Sequence, residues 1–183
     1  DFVLVTAASS SVGLAAFQIA RSVGATAIAV TRTRAKQQAL LDAGAHHVIV
    51  SDEEDLVQRV MQLTDGKGAR VVFDPIGGPG FEALTQSMAQ GGILLEYGAL
   101  SSEPTPFPLF TVLGKCLTLK GYLYAEIVAD PAALARAKAF ILDGLASGAL
   151  APVIAKTFAL DEVQDAHRYL EANQQVGKVV VTV

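Results

Sequence analysis

The 183-residue chain has one cysteine, no tryptophan and no apolar stretch near the roughly 20 residues of a membrane span. The single cysteine, Cys116, excludes an internal disulfide framework and a cysteine-based zinc cluster, and it fits a reducing, cytoplasmic location. Only 17% of the residues are charged and the net charge is −4. We therefore expect no general attraction to nucleic acid or to an anionic membrane. No signal peptide is expected, because the first residues already have the pattern of a strand.

Short β-branched runs alternate with stretches of helical periodicity, and the connections between them are short. The strands show little alternation of polar and apolar residues, which is typical of a parallel sheet covered on both faces. We therefore predict an α/β fold: a doubly wound, parallel, six-stranded Rossmann sheet over residues 1–150, in the order 3-2-1-4-5-6, with helices on both faces. The predicted strands are 2–6, 26–31, 47–50, 69–75, 91–98 and 117–124, and the predicted helices are 12–23, 34–43, 56–63, 81–88 and 130–148.

Residues 151–183 exceed what a six-stranded nucleotide-binding sheet needs. They have the pattern of a strand, a helix and a closing strand, "GKVVVTV". Asp161 is expected to cap that helix, and its packing stripe is expected to be Val163, Ala166, His167 and Leu170.

The stretch "VLVTAASSSVG", Val3 to Gly13, joins the first strand to the first helix. A turn of small residues before a helix N-terminus is a general anion site, because free backbone N–H groups and the helix dipole point at the ligand. The usual G-x-G-x-x-G pattern would fall on Ala8, Ser10 and Gly13, and only Gly13 is a glycine. Taken alone, the stretch fits a purely structural turn equally well. Ser10 would need an ordinary φ or would be strained.

The end of the second strand is more specific. An NAD site places an acidic residue there for the ribose 2′-hydroxyl, but this chain has no Asp or Glu between Leu14 and Leu41. Arg32, Arg34 and Lys36 stand there instead. Cations at a helix N-terminus oppose the dipole unless an anion binds between them, and a ribose 2′-phosphate is such an anion. The pattern favours NADP over NAD, with Arg32 and Lys36 as contacts. The other interpretation is a solvated basic face.

Two further stretches, "FDPIGG" and "YGALS", end the fourth and fifth strands, where a parallel sheet binds ligands. Gly77 and Gly98 would let the backbone approach a flat ring, whereas Gly78 is interpreted as turn chemistry. Other candidate side chains are assigned structural roles. We expect Tyr97 to be structural, His46 and His47 to lie on the surface or in the core, His167 to pack under its helix and Cys116 to be buried. Tyr124 is a weaker candidate for the rim of the pocket.

Three other nucleotide-binding families lack their motifs here. A short-chain dehydrogenase needs Tyr-x-x-x-Lys, and no tyrosine of this chain has a lysine four residues later. A P-loop needs G-x-x-x-x-G-K-[ST], but around "DGKGA" the chain has Met61 for the first glycine and Gly68 for the Ser or Thr. A methyltransferase would place an acid after the second strand.

The stretches "VLVTAASSSVGLAAFQIA", "TRTRAKQQALLDAGAHHVI", "VVFDPIGG", "YGALS" and "GKVVVTV" together resemble the quinone oxidoreductase branch of the medium-chain dehydrogenase/reductase superfamily. The similarity runs over essentially the whole chain in the same order. The branch's A-x-x-G-x-x-G turn falls on Ala7, Ser10 and Gly13, with Ser10 departing from its middle glycine. The resemblance implies four groups of cofactor contacts. Ser10, Ser11, Val12 and Gly13 would contact the pyrophosphate, and Thr31, Arg32 and Lys36 would contact the 2′-phosphate. Ser51 would lie near the adenosine, and the ribose and nicotinamide would be bordered by Ile76, Gly98, Ala99 and Leu100.

The resemblance also implies an activity: transfer of a hydride from NADPH to a quinone, an enone or a related carbonyl compound. In the family a separate N-terminal barrel-like domain carries most of the substrate site, and this chain begins after it. Residues 151–183 are therefore expected to pack on that missing catalytic domain, and the chain alone is expected to be inactive. No catalytic residue or metal ligand is assigned. Strand 117–122 is expected to pair across a two-fold axis in a homodimer. A non-catalytic NADPH-binding or dimerisation module is the alternative.

Overall fold

The computed structural model describes all residues, 1–183, and its main element is a six-stranded parallel sheet in the order β3-β2-β1-β4-β5-β6. The predicted Rossmann sheet and its strand order are confirmed. A second sheet, in the last third of the chain, contains two parallel strands, β7 and β8. The strands are β1 Phe2–Val5, β2 Thr26–Thr31, β3 His47–Val50, β4 Ala69–Asp74, β5 Met88–Glu96, β6 Thr118–Gly121, β7 Ile154–Ala159 and β8 Lys178–Thr182.

Helices follow most of the strands and cover both faces of the large sheet. They are α1 Ser11–Ser22, α2 Gln37–Asp42 (preceded by a 3₁₀ turn, Arg34–Lys36), α3 Leu56–Leu63, α4 Phe81–Gln86, α5 Leu109–Lys115, α6 Ala125–Val128, α7 Pro131–Ser147 and α8 Val163–Glu171. No helix combines the length and the apolar character needed to cross a bilayer.

The core consists of two apolar clusters, one on each face of the sheet. One cluster is centred on Leu4, Val72 and Leu94, and the other on Val5 and Phe17, all of them essentially without exposed surface. Successive residues of a strand point to opposite faces, so Leu4 and Val5 belong to different clusters. Burial on both faces explains why the strands lack alternation.

The predicted fourth helix, 81–88, is too long. The helix ends at Gln86, and Met88 already pairs with Ala69 as the first residue of β5. The register between β4 and β5 then shifts, and Gly91 has a φ of 65°, so an irregular segment with two glycines continues the strand instead of starting it. The helices α5 and α6 were not predicted.

Cys116 is exposed, so the expectation that it is buried is wrong. It ends α5 in the left-handed conformation, with a φ of 50°, immediately before the edge strand β6. An edge position leaves this residue open to solvent. The long helix α7 agrees with its prediction, since Asp130 caps its N-terminus and Gly148 ends it with a φ of 73°.

Two expectations for the last helix are also wrong. Asp161 makes no capping hydrogen bond; the adjacent Glu162 instead accepts a 2.9 Å hydrogen bond from the backbone N–H of Ala159. The reason is that a 3₁₀ turn, Leu160–Glu162, precedes α8 and moves the point at which the first N–H groups need partners. His167 is exposed, because the buried face of α8 runs through Ala166, with Tyr169 packed against Phe158.

Hydrogen bonds join the C-terminal segment to the part of the chain that contains the large sheet. The side-chain amide of Gln18 on α1 donates to and accepts from the backbone of Ala151, at 2.9 Å in each direction. The backbone N–H of Gly177 donates to the carbonyl oxygen of Ser9, also at 2.9 Å. Residues just outside β7 and β8 thus contact the second half of α1 and the turn before it.

Candidate nucleotide-binding site

The turn between β1 and α1 has the geometry of a phosphate-binding turn without its usual glycines. Ser10 has an ordinary φ of −70°, and its hydroxyl accepts a 3.0 Å hydrogen bond from the N–H of Gly13. The left-handed position of the turn is Ala7, with a φ of 43°, whose carbonyl accepts from the N–H of Ser10 at 2.9 Å. Ser10 is therefore the N-cap of α1 and carries no backbone strain.

Gly13 is required by packing. A Cβ at this position would lie 2.5 Å from the carbonyl oxygen of Ala8, so any side chain would push α1 away from the end of β1. Ser11 and Val12 follow the cap, and their N–H groups have no carbonyl four residues earlier in the helix. Val12 is 44% exposed, so this end of α1 is accessible to solvent. The positive end of the helix dipole and two free donors are thus presented to an anion.

The basic residues after β2 differ in their pairing. Arg34 is taken up by an exposed ion pair with Glu53, which also raises the pKa of Arg34. Arg32 is exposed and makes no ion pair. The ammonium of Lys36 donates to the hydroxyl of Ser9 and to the carbonyl of Gln175, each at 3.0 Å, and it too has no carboxylate partner.

Lys36 and Arg32 lie close enough to affect each other. Partial burial lowers the pKa of Lys36, and the positive charge of Arg32 lowers it further. Two cations that destabilise each other favour an anion between them. Thr31 is buried beneath this region, and Ser51, at the end of β3, is exposed and donates its backbone N–H to the carbonyl of Thr31 at 2.9 Å.

Asp74, at the end of β4, joins two loops of the site. Its side chain is completely buried and accepts hydrogen bonds from the hydroxyl of Thr6 and, at 2.8 Å, from the N–H of Gly77. Thr6 leads into the turn before α1, and Gly77 follows the exposed Ile76 with a φ of 64°. Gly78 agrees with its turn assignment, since its N–H donates to the hydroxyl of Thr105 at 2.8 Å.

The end of β5 forms the third loop. Tyr97 is stacked on Phe73 with ring centroids 4.0 Å apart, in agreement with a structural role. A Cβ on Gly98 would lie 2.8 Å from the carbonyl oxygen of Pro75, so a glycine brings the loops after β4 and β5 together. Ala99 and Leu100 are exposed. Beside them a cavity of about 590 Å³ is lined by Glu96, Tyr97, Gly98, Ala99, Gly121, Tyr122, Leu123, Ala125 and Glu126.

The sheet topology brings the predicted site residues to one edge. They follow the carboxyl ends of five neighbouring strands, β3, β2, β1, β4 and β5, and parallel strands end on the same side. The hydrogen bond from Lys36 to Ser9 connects the basic residues after β2 directly to the turn between β1 and α1. Tyr124 is 76% exposed and is not part of the cavity wall. His46 uses Nδ1 to accept from the N–H of Ala27 at 3.0 Å, a structural role at the surface.

Comparison with known proteins decides the family. The model of the zinc-binding dehydrogenase family matches residues 11–139. The chain is 33% identical to a quinone oxidoreductase of Salmonella typhimurium over 182 residues, which are 95% of this chain and 54% of that protein. The chain belongs to the quinone oxidoreductase branch of the medium-chain dehydrogenase/reductase superfamily.

Solved structures of this superfamily have the same fold. The quinone oxidoreductase of Escherichia coli complexed with NADPH superposes with a TM-score of 0.88 at 30% identity, covering 100% of this chain and 57% of that one. An NAD-dependent alcohol dehydrogenase superposes with the same TM-score at 33% identity, covering 100% of this chain and 51% of that one. The medium-chain fold is therefore shared by structures whose titles name either cofactor. The chain spans about half the length of the relatives that it matches.

The family model is named for zinc binding, but the residues of this chain do not form a zinc site. No group of three or more His, Cys, Asp or Glu side chains is arranged to hold a metal ion. The only cysteine is exposed, and His47, at the start of β3, has a pKa lowered first by burial.

Two carboxyl groups of this member of the superfamily were not predicted to be part of the site, Asp74 and Glu96. Each is the last residue of its strand, and the two are partners in the register of β4 and β5. Burial first, and then the charge of Asp74, raise the pKa of Glu96 to about 8. Acidic residues at the ends of two consecutive strands were a usable signal, because such strands can be neighbours in a parallel sheet.

Proposed function

We propose that this chain binds NADPH and forms the cofactor-binding part of an oxidoreductase that transfers a hydride to a quinone, an enone or a related carbonyl compound. The observation that carries the proposal is the pair of cations after β2. Arg32 and Lys36 stand where an NAD site has a carboxylate, and neither has a carboxylate partner in the fold.

The fold alone does not choose the cofactor, since neighbours of equal TM-score include an NAD-dependent enzyme and a complex with NADPH. Electrostatics supports NADPH. The ammonium of Lys36 is partly desolvated and repelled by Arg32, and a 2′-phosphate would relieve both effects. Arg34 is excluded from this role by its pair with Glu53.

The chain's residues fit the cofactor along the whole edge of the sheet. The N–H groups of Ser11 and Val12 would hold the pyrophosphate at the positive end of α1, with Ser10 capping the helix and Gly13 allowing its close approach. Arg32 and Lys36, with Thr31, would hold the 2′-phosphate, and Ser51 would border the adenosine. Ribose and nicotinamide would lie along Ile76, Gly98, Ala99 and Leu100.

When bound, NADPH supplies the hydride, and the protein's own contribution is to bind and orient it. The glycine contact at Gly98 sets the spacing of the loops after β4 and β5. Tyr97, at the start of the second of these loops, stacks on Phe73 of β4.

Names of relatives support the substrate class. Besides quinone oxidoreductases, a 2-haloacrylate reductase of a Burkholderia species is 28% identical over 187 residues, 99% of this chain and 55% of that protein. The quinone and the 2-haloacrylate of these names each have a C=C bond conjugated to a carbonyl or carboxyl group, which supports a quinone or an enone as acceptor. A purely non-catalytic NADPH-binding module is not favoured by these relatives.

The rest of the active site is proposed to lie on a second domain. The chain spans about half of its relatives, and the C-terminal segment 151–183 has exposed apolar side chains at Ile154, Leu160 and Leu170. We propose that residues 1–150 form the NADPH-binding domain and that this segment packs on a catalytic domain outside the chain.

A binding comparison tests the cofactor proposal. Titration of the chain with NADPH and with NADH, by nicotinamide fluorescence or calorimetry, should give a dissociation constant about tenfold lower for NADPH, as expected for charge-assisted phosphate contacts. Equal affinities would overturn the assignment of the 2′-phosphate site.

We also propose a homodimer formed through the edge strand. β6 pairs with β5 on one side only, and three of its four residues, Thr118–Gly121, are exposed. Unpaired backbone groups on an edge are a template for a second copy. Light scattering over a concentration series should show a dimer, and a monomer at high concentration would contradict it.

The exposed thiol of Cys116 supports a cytoplasmic location, where thiols stay reduced.

A further inference from the structure

The carboxyl groups of Asp74 and Glu96 lie side by side at the edge of the sheet that carries the cofactor site. They are register partners on β4 and β5. Asp74 has no exposed surface. Both carboxyl oxygens of Glu96 are out of contact with solvent and have no hydrogen-bond partner of normal geometry. A buried carboxylate without donors is costly, so these oxygens require either a proton or a partner.

No cation faces this pair. Asp74 accepts hydrogen bonds from the hydroxyl of Thr6 and from the N–H of Gly77, and both donors are neutral. Tyr97, whose own pKa is raised to about 12 by burial and then by Asp74, is neutral as well. Around the adjoining cavity the charged group is Glu126 on α6, which is paired with Lys120 of β6 at 3.3 Å.

Two neighbouring carboxyl groups without a cation do not both ionise. Burial first, and then the charge of Asp74, raise the pKa of Glu96 to about 8. Asp74, which has two neutral donors, is the better place for the negative charge. Glu96 is then the group that carries the proton.

The pair touches three of the segments proposed to hold NADPH, those after β1, β4 and β5. Thr6 begins the turn before α1, and Gly77 belongs to the loop after β4. Glu96 itself precedes Tyr97 and Gly98, the start of the loop after β5. A second negative charge on the pair would repel Asp74 from Glu96 and separate the ends of β4 and β5, and it would also oppose the negative charge of the cofactor.

We propose that Asp74 and Glu96 share one proton at neutral pH, and that this proton holds the ends of β1, β4 and β5 in the geometry that receives NADPH. Glu96 is thus a positioning residue for the cofactor. This inference rests on the proposed function for the identity of the ligand, but the shared proton does not.

The proposal predicts a specific pH dependence of binding. If NADPH binds only the protonated pair, the dissociation constant should be about tenfold higher at about pH 9 than at about pH 7, given a pKa near 8 for Glu96. The Glu96→Gln variant keeps the shape and offers an N–H donor to Asp74 at every pH. The affinity of this variant for NADPH should match that of the wild type at neutral pH. It should not show the tenfold decrease that deprotonation of Glu96 causes in the wild type at about pH 9.

The experiment is a series of NADPH titrations from about pH 7 to about pH 9.5 with wild type, Glu96→Gln and Glu126→Gln. Glu126→Gln is the matched control, because it removes a carboxylate from the wall of the same cavity and should keep the wild-type profile. Lys36, whose pKa is lowered by burial and by Arg32, is present in all three proteins, so the difference between the profiles is decisive. Parallel profiles for wild type and Glu96→Gln would overturn the proposal.

A second measurement uses the proteins without cofactor. The pKa of Glu96 is raised on folding from about 4.5 to about 8. Between these two pH values the folded state therefore holds a proton that the unfolded state has already released. The free energy of unfolding should therefore decrease with pH across this window more steeply for wild type than for Glu96→Gln. Equal slopes would overturn the shared proton.

Infrared difference spectra cover the case in which Glu96→Gln does not fold. Wild type should show the carbonyl stretch of a protonated carboxylic acid at neutral pH and lose it above the pKa of Glu96; absence of that band would overturn the proposal. If the chain binds NADPH at no pH, the proposed function fails and so does the role of Glu96 in positioning NADPH. The unfolding slopes and the infrared band still decide whether the proton is shared.

Discussion

The backbone N–H of Gly177 donates a 2.9 Å hydrogen bond to the carbonyl oxygen of Ser9. The same Ser9 accepts from the ammonium of Lys36 through its hydroxyl, and Lys36 also donates to the carbonyl of Gln175. The turn before α1, the cation proposed for the 2′-phosphate and the loop before β8 are thus connected by three hydrogen bonds. The C-terminal segment is therefore hydrogen-bonded directly to the turn and to this cation.

Replacement of Gly177 by alanine should loosen that segment. Gly177 has a φ of 104°, and a Cβ there would lie 2.5 Å from the carbonyl oxygen of Val153. The strain should cost about 1–3 kcal/mol. Hydrogen exchange should become faster in β7 and β8 and stay unchanged in β1 and β4, which belong to a separate sheet. The control is Gly114→Ala in α5, where the methyl group meets no atom within 4 Å. Uniformly faster exchange over both sheets would contradict this separation.

Gly13→Ala should destabilise the six-stranded sheet and the helix α1 that packs on it. The added methyl group would meet the backbone of Ala8, which cannot move without disturbing the end of β1. We expect a loss of about 1–3 kcal/mol in urea unfolding, as for an overpacked core. Gly114→Ala should instead gain about 0.5–1 kcal/mol, because alanine is the better helix former. If both variants change stability alike, the close approach at Gly13 is not limiting.

Two substitutions at Ser10 separate its capping role from a role in phosphate binding. Ser10→Ala removes the acceptor for the N–H of Gly13 and should cost about 1 kcal/mol of stability, whereas Ser10→Gly should cost only a few tenths. Because the hydroxyl is used by the cap, Ser10→Gly should bind NADPH almost as well as wild type. Calorimetry that shows a large loss of affinity in Ser10→Gly would assign the hydroxyl to the phosphate.

Substitutions of the basic residues test the cofactor preference. Arg32→Ala and Lys36→Ala should each weaken NADPH binding by about tenfold or more, since a hydrogen bond to a charged group is worth about 1.5–3 kcal/mol. NADH binding should hardly change. Arg34→Ala is the control, because Arg34 is held by Glu53. A loss of NADPH affinity in Arg34→Ala equal to that in Lys36→Ala would indicate a diffuse basic surface.

The lowered pKa of Lys36 predicts that the preference for NADPH weakens in alkaline solution. Its ammonium loses the proton at a lower pH than an ordinary lysine, and with it the attraction to a 2′-phosphate. The ratio of the NADH and NADPH dissociation constants should fall as the pH rises through that pKa. The ratio isolates Lys36, since the proton on Glu96 affects both cofactors. Lys36→Met should show no such fall, and a constant ratio in wild type would contradict the assignment.

The strand order was predictable because each element of the Rossmann sheet has a local signal. Continuous β-branched runs and helical stripes alternate, and right-handed crossovers then leave few topologies. The helix α5 gave no such signal, since residues 109–115 are mostly apolar without a stripe and follow Pro104, Pro106 and Pro108. The four residues of α6 are too short for a period to be seen.

The details of the caps were not predictable in the same way. Asp161 and Glu162 are neighbours in the sequence, and either could serve the start of α8. Neither side chain caps α8: Glu162 instead accepts from the N–H of Ala159 and so stabilises the 3₁₀ turn before the helix, a conformation that depends on the packing of the whole segment. For Ser10 the sequence left two alternatives, an ordinary φ or strain; the structure shows an ordinary φ of −70° and the use of Ser10 as the N-cap.

By itself the sequence determined the class of sheet, the turn at Gly13 and the exchange of an acidic residue for Arg32 and Lys36 after β2, because these depend on residues that are close along the chain. Only the tertiary structure showed that Arg34 is occupied by Glu53, that Gly177 binds Ser9 and that Asp74 lies beside Glu96. These pairs are far apart in sequence, and their hydrogen bonds, burial and charge coupling exist only once the sheet register and the C-terminal loop bring them together.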